Sequence, residues 1–391
     1  MRHAALLVLV AAVAALAGAG AAYPDHGHGN GHGHGNGHGR GNGHWHGRTG
    51  SVVWVQTNEP SGNRIVVFDR SSDGTLSQAG VYPTGGNGGV AAPGTESDRL
   101  ASQGSLTYDS RHSILIAVNA GSNTVTTFKV HGDRLQGRKV VPSGGEFPAS
   151  IAVSGRLVYV LNSGGQGTVQ GFWIRGHHLR PISNSARSLG LANTSPPNFL
   201  TSPGQVGFSP NGRKLLVTTK MSGSNIDVFR VRRDGTLSAT PVVNPSATPV
   251  PFAFTFTPQG RLASGEAGTS SLTTYALGGD GTLSDPRSAS DGQTALCWIV
   301  RVGGFYYVSN TGSNNVSSFT VGADGTPSLL AAVAAPTNAG PIDQTVSGRY
   351  LYVQTGSAGT IDGFSVNSDG SLTSVGSVTG LPAGQEGIAS N

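Results

Sequence analysis

The tetrapeptide DGTL at residues 73–76 recurs at 234–237 and 280–283, with DGTP at 324–327 and DGSL at 369–372. Gly accepts a positive φ at little cost and Asp favours turns, so each copy predicts a tight hairpin corner. Aligning the residue after each corner defines seven units, marked by Leu76, Leu135, Leu179, Leu237, Leu283, Pro327 and Leu372. Four of the six spacings are 44 to 46 residues, and the other two are 58 and 59.

A repeat of this length with several strands per unit is typical of propeller blades. Within each unit a short strand A precedes an apolar strand B, a small polar loop, strand C, the DGTL-like corner and strand D. The sequence therefore predicts an all-β fold, a seven-bladed β-propeller of four-stranded antiparallel blades. The stretch from residue 51 supplies strands B and C without an A strand, so we expect residues 385–391 to complete the first blade and close the ring.

Composition supports short strands and turns, because Gly is 61 of 391 residues and charged residues are only 12%. We expect three segments: a secretory signal peptide at 1–22, a disordered His/Gly-rich tail at 23–50, and the propeller at 51–391. The start MRHAALLVLVAAVAALAGAGAAY has the basic, apolar and small-residue parts of a signal peptide. The alternative interpretation of this segment is a membrane anchor. We favour a secreted, periplasmic or envelope protein with no stable membrane span after cleavage.

Charge and cysteine content exclude several classes. The formal charge is +5, and no Lys/Arg cluster is interleaved with aromatic residues, so nucleic acid is not an expected partner. The one cysteine, Cys297, lies in the apolar run ALCWIV, which predicts a buried, inert thiol. We expect a monomer that requires no cofactor in its propeller.

Two long connections between strands D and A, at 87–103 and 183–203, account for the two long periods. Both fall on the rim of the ring opposite the DGTL corners, a place where propeller loops commonly bind ligands. They are either tolerated surface insertions or the walls of a pocket. The four histidines outside the signal and tail, at 112, 131, 177 and 178, fall on the opposite rim and are interpreted as solvated turn residues.

The features that carry a family resemblance are the seven repeats, the stretch NAGSNTVTTFKV at 119–130 and the stretch FSPNGRKLLVTTK at 208–220. Through these features the chain resembles the propeller lactonase family over residues 51–391. One branch of that family is 6-phosphogluconolactonase, and a sister branch cyclises carboxymuconate. Members carry Pro-Arg-His before the FSPDG-like phrase and Asn-Glu after the next strand. Here those places read Pro203-Gly204-Gln205 and Thr219-Lys220, so the Arg and His are missing and a lysine replaces the acid.

Candidate site residues follow from rim position and chemistry. Hydrolysis needs a titratable group near the substrate, and Lys220, Glu266 and Asp343 are the catalytic candidates. The substrate-binding candidates on the same rim are Glu59, Gln103, Gln205 and Glu386. Because Gln does not titrate, Gln205 is expected to orient a ligand or water by its amide.

Seven of the 12 histidines lie in the tail, separated by glycines, at His26, His28, His32, His34, His38, His44 and His46. Imidazole suits Zn²⁺, Ni²⁺ or Cu²⁺, and a Gly-rich backbone lets several rings converge on one ion. A soluble spacer without bound metal is the alternative.

Two functions remain open from the sequence. The first is a secreted lactonase-like hydrolase or isomerase acting on a small-molecule lactone or cyclic ester. The second is a noncatalytic binding propeller for a glycan, peptide or envelope component, with a metal-binding tail. The missing Arg, His and acid favour the second, and the resemblance favours the first.

Overall fold

The structure is a computed structural model, and it describes residues 50–93 and 97–391. The signal peptide and all but the last residue of the His/Gly-rich tail lie outside the described residues. Within the described ranges, no helix is long and apolar enough to cross a membrane.

Seven antiparallel sheets form the ring, as the repeat predicted. The first three blades have irregular features: blade 1 joins the two ends of the chain, blade 2 has one short 3₁₀ turn, and the outer strand of blade 3 is broken in two. Their elements are β1 (Ser51–Gln56), β2 (Arg64–Arg70) and β3 (Leu76–Pro83); β4 (Leu106–Asp109), β5 (Ile114–Asn119), η1 (Ala120–Ser122), β6 (Thr124–His131) and β7 (Arg134–Pro142); and β8 (Pro148–Ser154), β9 (Leu157–Asn162), β10 (Thr168–Arg175), β11 (His178–Pro181) and β12 (Arg187–Ser188).

Blades 4 to 7 are regular four-stranded sheets in chain order. Their strands are β13 (Gln205–Phe208), β14 (Lys214–Thr218), β15 (Asn225–Arg230) and β16 (Val242–Pro245); β17 (Pro251–Phe256), β18 (Leu262–Glu266), β19 (Ser271–Leu277) and β20 (Leu283–Ser290); β21 (Leu296–Val302), β22 (Phe305–Asn310), β23 (Asn315–Val321) and β24 (Pro327–Pro336); and β25 (Pro341–Ser347), β26 (Tyr350–Thr355), β27 (Thr360–Val366) and β28 (Leu372–Val378). The last strand is β29 (Ile388–Ser390).

The C-terminal strand closes the ring, which confirms that the end of the chain completes the first blade. We call residues 385–391 the C-terminal clasp. β29 pairs antiparallel with β1, with Val53 opposite Ser390 and Val55 opposite Ile388. Two further backbone bonds extend the pairing, from Gln56 N to Gly387 O at 2.8 Å and from Asn391 N to Val52 O at 3.2 Å. The first blade is therefore complete only when both ends of the domain meet.

The DGTL corners combine two devices. Glycines 74, 235, 281, 325 and 370 all adopt positive φ, between 81° and 104°. The preceding Asp accepts a hydrogen bond from the backbone N–H two residues later, as Asp73 does from Thr75 at 3.0 Å. The Thr hydroxyl adds a second bond to the same carboxylate. Gly thus supplies the turn conformation and Asp fixes it, and the corner is architecture.

The core lies between neighbouring blades. Strand B of a blade is buried on both faces, as in β5 and β9, whereas strand D alternates between exposed and half-buried residues. Each fully buried aliphatic side chain contributes ~1.5–3 kcal/mol, so the ring is stabilised mainly by blade-to-blade packing. Strands A of adjacent blades contact one another around the centre of the ring, the position of the central channel in propellers.

Candidate functional site

The two long insertions meet on one rim, which we call the insertion rim. Ala92 forms a parallel bridge with Asn198. Its N–H donates to Pro197 O at 2.8 Å, and its carbonyl accepts from Phe199 N at 3.0 Å. The insertions therefore form one layer over blades 2 to 4, and neither is an independent surface loop.

Residues 97–104, the end of the first insertion, cross the mouth of the channel, and we call this segment the plug. The Gln103 side chain makes two hydrogen bonds to the Ile299 backbone on the far side, one at 3.1 Å and one at 3.0 Å. The Trp298 indole N–H donates to Ser102 O at 2.9 Å. Leu100 and Ala101 are fully buried beneath. The plug thus closes the channel at this rim.

Lys220 lies at the junction of both insertions. It follows β14 in the left-handed region, with φ 48°, and its side chain is 1% exposed. Its ammonium donates to Ala101 O at 2.7 Å in the plug, and to Phe199 O at 2.5 Å and Ser202 Oγ at 2.9 Å in the second insertion. All three protons of the amine are therefore engaged in holding the two insertions together.

Two carboxyl groups lie against this lysine, Asp98 in the plug and Glu386 next to the closing strand. Their side chains hydrogen-bond to each other, and two carboxyls can do so only when one carries a proton. Glu386 also accepts from Leu100 N at 2.5 Å and from Ser102 N at 3.3 Å. The carboxyl pair thus joins the plug to the C-terminal clasp.

Burial sets the pKa values of this cluster. It raises the pKa of Asp98 to about 6, although the charge of Lys220 opposes the rise. It also raises the pKa of Glu386, and the neighbouring Asp98 adds to that rise. Burial lowers the pKa of Lys220 to about 8 against the attraction of Asp98. Desolvation disfavours every charged form here, so all three groups titrate closer to neutrality than in water.

Asp343 belongs to the same channel. It lies on β25, is 2% exposed, and accepts from Gln344 N at 2.9 Å and from Gly104 N in the plug at 3.4 Å. Burial raises its pKa to about 7, with a small contribution from the charge of Asp98. The structure thus places Lys220, Asp343, Glu386 and Gln103 around one plug.

The other site candidates lie apart from this cluster. Glu266 accepts hydrogen bonds from Thr248, Thr273 and Tyr275, all within blade 5 and its preceding loop. Glu59 makes an exposed ion pair with Arg64.

Gln205 spans two A strands, because its Oε1 accepts from Phe254 N at 2.6 Å. Its amide is therefore occupied by the backbone of blade 5. The Asp98–Glu386 contact could not be predicted from the sequence, since 288 positions separate these residues.

Several buried polar atoms beside the cluster have no hydrogen-bond partner among the described residues. They include both amide atoms of Gln56, the Oε1 of Gln344 and the Oγ of Ser97. Gln56 O accepts from Glu386 N at 3.2 Å, and Gln344 donates to Trp298 O at 3.3 Å, so both residues lie next to residues that bind the plug. Leaving such a group unpaired costs ~1–3 kcal/mol, a cost that a polar ligand or ordered water removes.

The cluster has the groups that acyl chemistry needs: a hydrogen-bonded carboxyl pair and an amine beside it. Cys297 is buried, as expected, and burial raises the pKa of its thiol, which disfavours a nucleophilic thiolate. Within residues 50–93 and 97–391, no group of three or more His, Cys, Asp or Glu side chains is arranged to hold a metal ion.

Solved structures share this fold. The periplasmic gluconolactonase PpgL of Pseudomonas aeruginosa is 19% identical, with 87% of this chain and 98% of that chain covered and a TM-score of 0.66. A Bacteroides fragilis protein assigned provisionally as a 6-phosphogluconolactonase is 17% identical, with 88% and 99% covered and a TM-score of 0.67. No family model matches the chain, and no curated protein matches it in sequence. The fold is therefore that of lactonase-like propellers.

Proposed function

We propose that the protein opens a lactone or similar cyclic ester at the channel mouth beneath the plug. One observation carries this proposal: the Asp98 and Glu386 carboxyl groups are hydrogen-bonded to each other beside the Lys220 amine. The fold held in common with proteins described as gluconolactonases supports the choice of a lactone over other esters.

Each group has a role that balances the reaction. The ionised carboxyl of the pair takes a proton from water as the water oxygen attacks the lactone carbonyl. The protonated carboxyl gives its proton to the ring oxygen as the acyl C–O bond breaks. The Lys220 ammonium stabilises the oxyanion between these events. The product is a hydroxy acid, and the two carboxyls exchange states in one turnover.

Access requires the plug to move, because Lys220 and Glu386 are 1% and 0% exposed. Residues 99–104, which bind the Lys220 amine and the Glu386 carboxyl, must shift to admit a substrate, while Asp98, itself in the plug, stays against Glu386. The Gln56 amide and the Gln344 Oε1, which have no partner among the described residues, would then be available to the substrate.

The test is a pH-stat screen of the full chain against simple and sugar lactones. Glu386→Gln keeps the side-chain shape and removes the titrating group, and we expect it to lower kcat by ~10²–10⁴-fold. The matched control is Glu146→Gln, which removes an exposed carboxylate on the same rim and should leave kcat unchanged. Turnover that is unaffected by Glu386→Gln would place the chemistry elsewhere. No turnover of any lactone would reject the proposal.

A noncatalytic binding propeller is the second candidate. It is favoured by the closed mouth, in which all three Lys220 protons are bound to the protein's own oxygens. In that case the cluster stabilises the plug, and the ligand is a glycan, peptide or envelope component bound at the rim. Binding to an isolated envelope fraction without lactone turnover would support it.

We also propose export, a metal-binding tail and a monomeric state. The signal-like start supports export, and a periplasmic neighbour in fold is compatible with it. N-terminal sequencing of the mature protein should begin near Tyr23. Equilibrium dialysis with Zn²⁺, Ni²⁺ and Cu²⁺ tests the tail, with a variant lacking residues 26–46 as control. Sedimentation equilibrium should give a single-chain mass.

A further inference from the structure

The rim opposite the insertions, which we call the corner rim, has an uneven distribution of charge. It bears the A-to-B turns and the C-to-D corners of each blade. Blades 3 and 4 carry seven basic residues at these turns and at the ends of their C strands. We call this group the arginine patch: Arg156, Arg175, Arg213, Lys214, Arg230, Arg232 and Arg233.

Backbone contacts bring the patch together. Ile174 N donates to Arg156 O at 2.9 Å, next to Arg175, and Val231 N donates to Arg213 O at 2.9 Å, between Arg230 and Arg232. The two blades also meet at this rim.

The contact between the blades involves both kinds of turn. A Cβ on Gly212 would lie 2.5 Å from Ser154 Oγ, and Tyr159 OH donates to Gly235 O at 2.7 Å. Residues distant in sequence thus form one continuous basic surface.

The patch is not neutralised by the protein itself. Its six arginines are exposed, and none of them forms a salt bridge among the described residues. Two carboxylates lie nearby, Asp234 beside Arg232 and Asp280 beside Lys214, and both also accept hydrogen bonds within their own corners. Seven cations therefore face two partly engaged anions.

Blades 5 and 6 differ on the same rim. There Arg261 pairs with Asp285 at 3.1 Å, and Arg287 pairs with Asp324 at 2.7 Å. The corner architecture therefore permits a neutralised rim, and folding does not require the unpaired charge of blades 3 and 4. Clustered like charges repel one another, and an anionic partner relieves that repulsion.

We propose that the arginine patch binds a linear acidic polysaccharide. Guanidinium groups bind carboxylate and sulfate oxygens in a bidentate manner, and a flexible chain can follow cations spread over two blades. Nucleic-acid bases would require stacking platforms, yet none of the described aromatic side chains is exposed. A lipid surface would be favoured by protruding apolar residues, but the exposed large ones lie on outer strands, away from these corners.

The test measures binding of the full chain to fluorescently labelled polygalacturonate at low ionic strength. The patch variant carries Arg175→Gln, Arg213→Gln and Arg232→Gln. The matched control carries Arg287→Gln, Arg301→Gln and Arg349→Gln, which remove the same charge from the same rim. We expect the patch variant to lose about tenfold or more in affinity and the control less than about twofold, and wild-type binding to weaken between about 50 and 200 mM NaCl.

Three results would overturn the proposal. One is no binding of the polysaccharide by the wild type. Another is an equal loss in both triple variants, which would assign binding to net charge alone. The third is tighter binding to duplex DNA or to phosphatidylserine vesicles than to polygalacturonate. That result would mean that the partner of the patch is a nucleic acid or a membrane.

Discussion

Charged side chains are buried on one rim of the propeller and exposed on the other. On the insertion rim, Lys220, Asp98 and Glu386 are buried, bonded to one another or to backbone groups, and titrate closer to neutrality than in water. On the corner rim, the patch arginines are exposed and form no salt bridge among the described residues. Hydrogen bonds from the following threonines lower the pKa values of the turn aspartates Asp73 and Asp234.

The difference shows what each charge contributes. A buried charge must have partners, so removing one member of a buried cluster leaves the others uncompensated. An exposed charge is solvated and contributes little to folding, so it is free to serve recognition. The same chemical substitution should therefore have unequal effects at the two rims.

Deleting residues 385–391 should have the largest effect, because it removes both the closing strand and Glu386. Buried Ile388 and the β1 pairing are lost, and the plug loses its carboxylate partner. We expect the melting temperature to fall by ~10 °C or more, given ~2–4 °C per kcal/mol in domains somewhat smaller than this one. Differential scanning calorimetry checks this, and an unchanged melting curve would refute the clasp as a stabilising element.

Removing a single cation from each rim compares them directly. Lys220→Met should destabilise the fold by ~3–5 kcal/mol, because three buried oxygens lose their donor and the carboxyl pair loses its counter-charge. Arg232→Met on the corner rim should change stability by no more than ~0.5 kcal/mol. Urea denaturation of both variants measures the difference. Equal losses would mean that the insertion rim does not depend on its buried lysine.

In the acidic range, the carboxyl groups of the two rims should give the pH dependence of stability opposite signs. The raised pKa values of Asp98, about 6, and Asp343, about 7, mean that their stabilising contribution is complete below the unfolded value near 3.8 and lost as pH rises through 6 to 7. The lowered pKa of Asp234 gives a contribution present above that unfolded value and lost as the solution becomes more acidic.

The contribution of Lys220 to stability changes in the alkaline range. Its pKa of about 8 in the folded protein lies below the ordinary lysine value of 10.5, so its contribution is complete above 10.5 and lost as pH falls through 8. We therefore expect the insertion-rim contribution to stability to be lowest between about pH 7 and 8. Urea denaturation across this range should show a shallower minimum in Glu386→Gln than in wild type. An identical profile in both would exclude the carboxyl pair as its source.

The smallest stability effect is expected from the three-residue patch variant Arg175→Gln, Arg213→Gln and Arg232→Gln. Since these side chains have no described salt-bridge partner, we expect a total change within ~0.5 kcal/mol, in the stabilising direction if like-charge repulsion matters. Thermal melting at low and high salt checks this. A large destabilisation would show that the patch is structural.

Much of the architecture could be predicted because it depends on interactions between residues that are close in sequence. A DGTL corner works through Gly74 and the Asp73 to Thr75 bond, all within three residues, so its recurrence reveals the blade count. The candidate site was only partly predictable. Lys220, Asp343 and Gln103 were identified by rim position, but the pairing of Asp98 with Glu386 was not, because 288 positions separate them.

The arginine patch also could not be predicted from the sequence. RVRR at 230–233 is short, and Arg156, Arg175 and Arg213 are scattered through two repeats. Only the turn geometry places them at one end of adjacent blades. A scan for contiguous basic runs therefore missed a patch that neighbouring blades assemble.

The sequence by itself determined the seven blades, their corners and the closing strand, because turn conformation and strand alternation depend on near neighbours. The tertiary structure alone decided which charges are buried and which are free. Burial depends on what the insertions cover once the ring has closed, and closure brings residue 386 against residue 98. The pKa values, and with them the chemistry available at the channel mouth, follow from that contact.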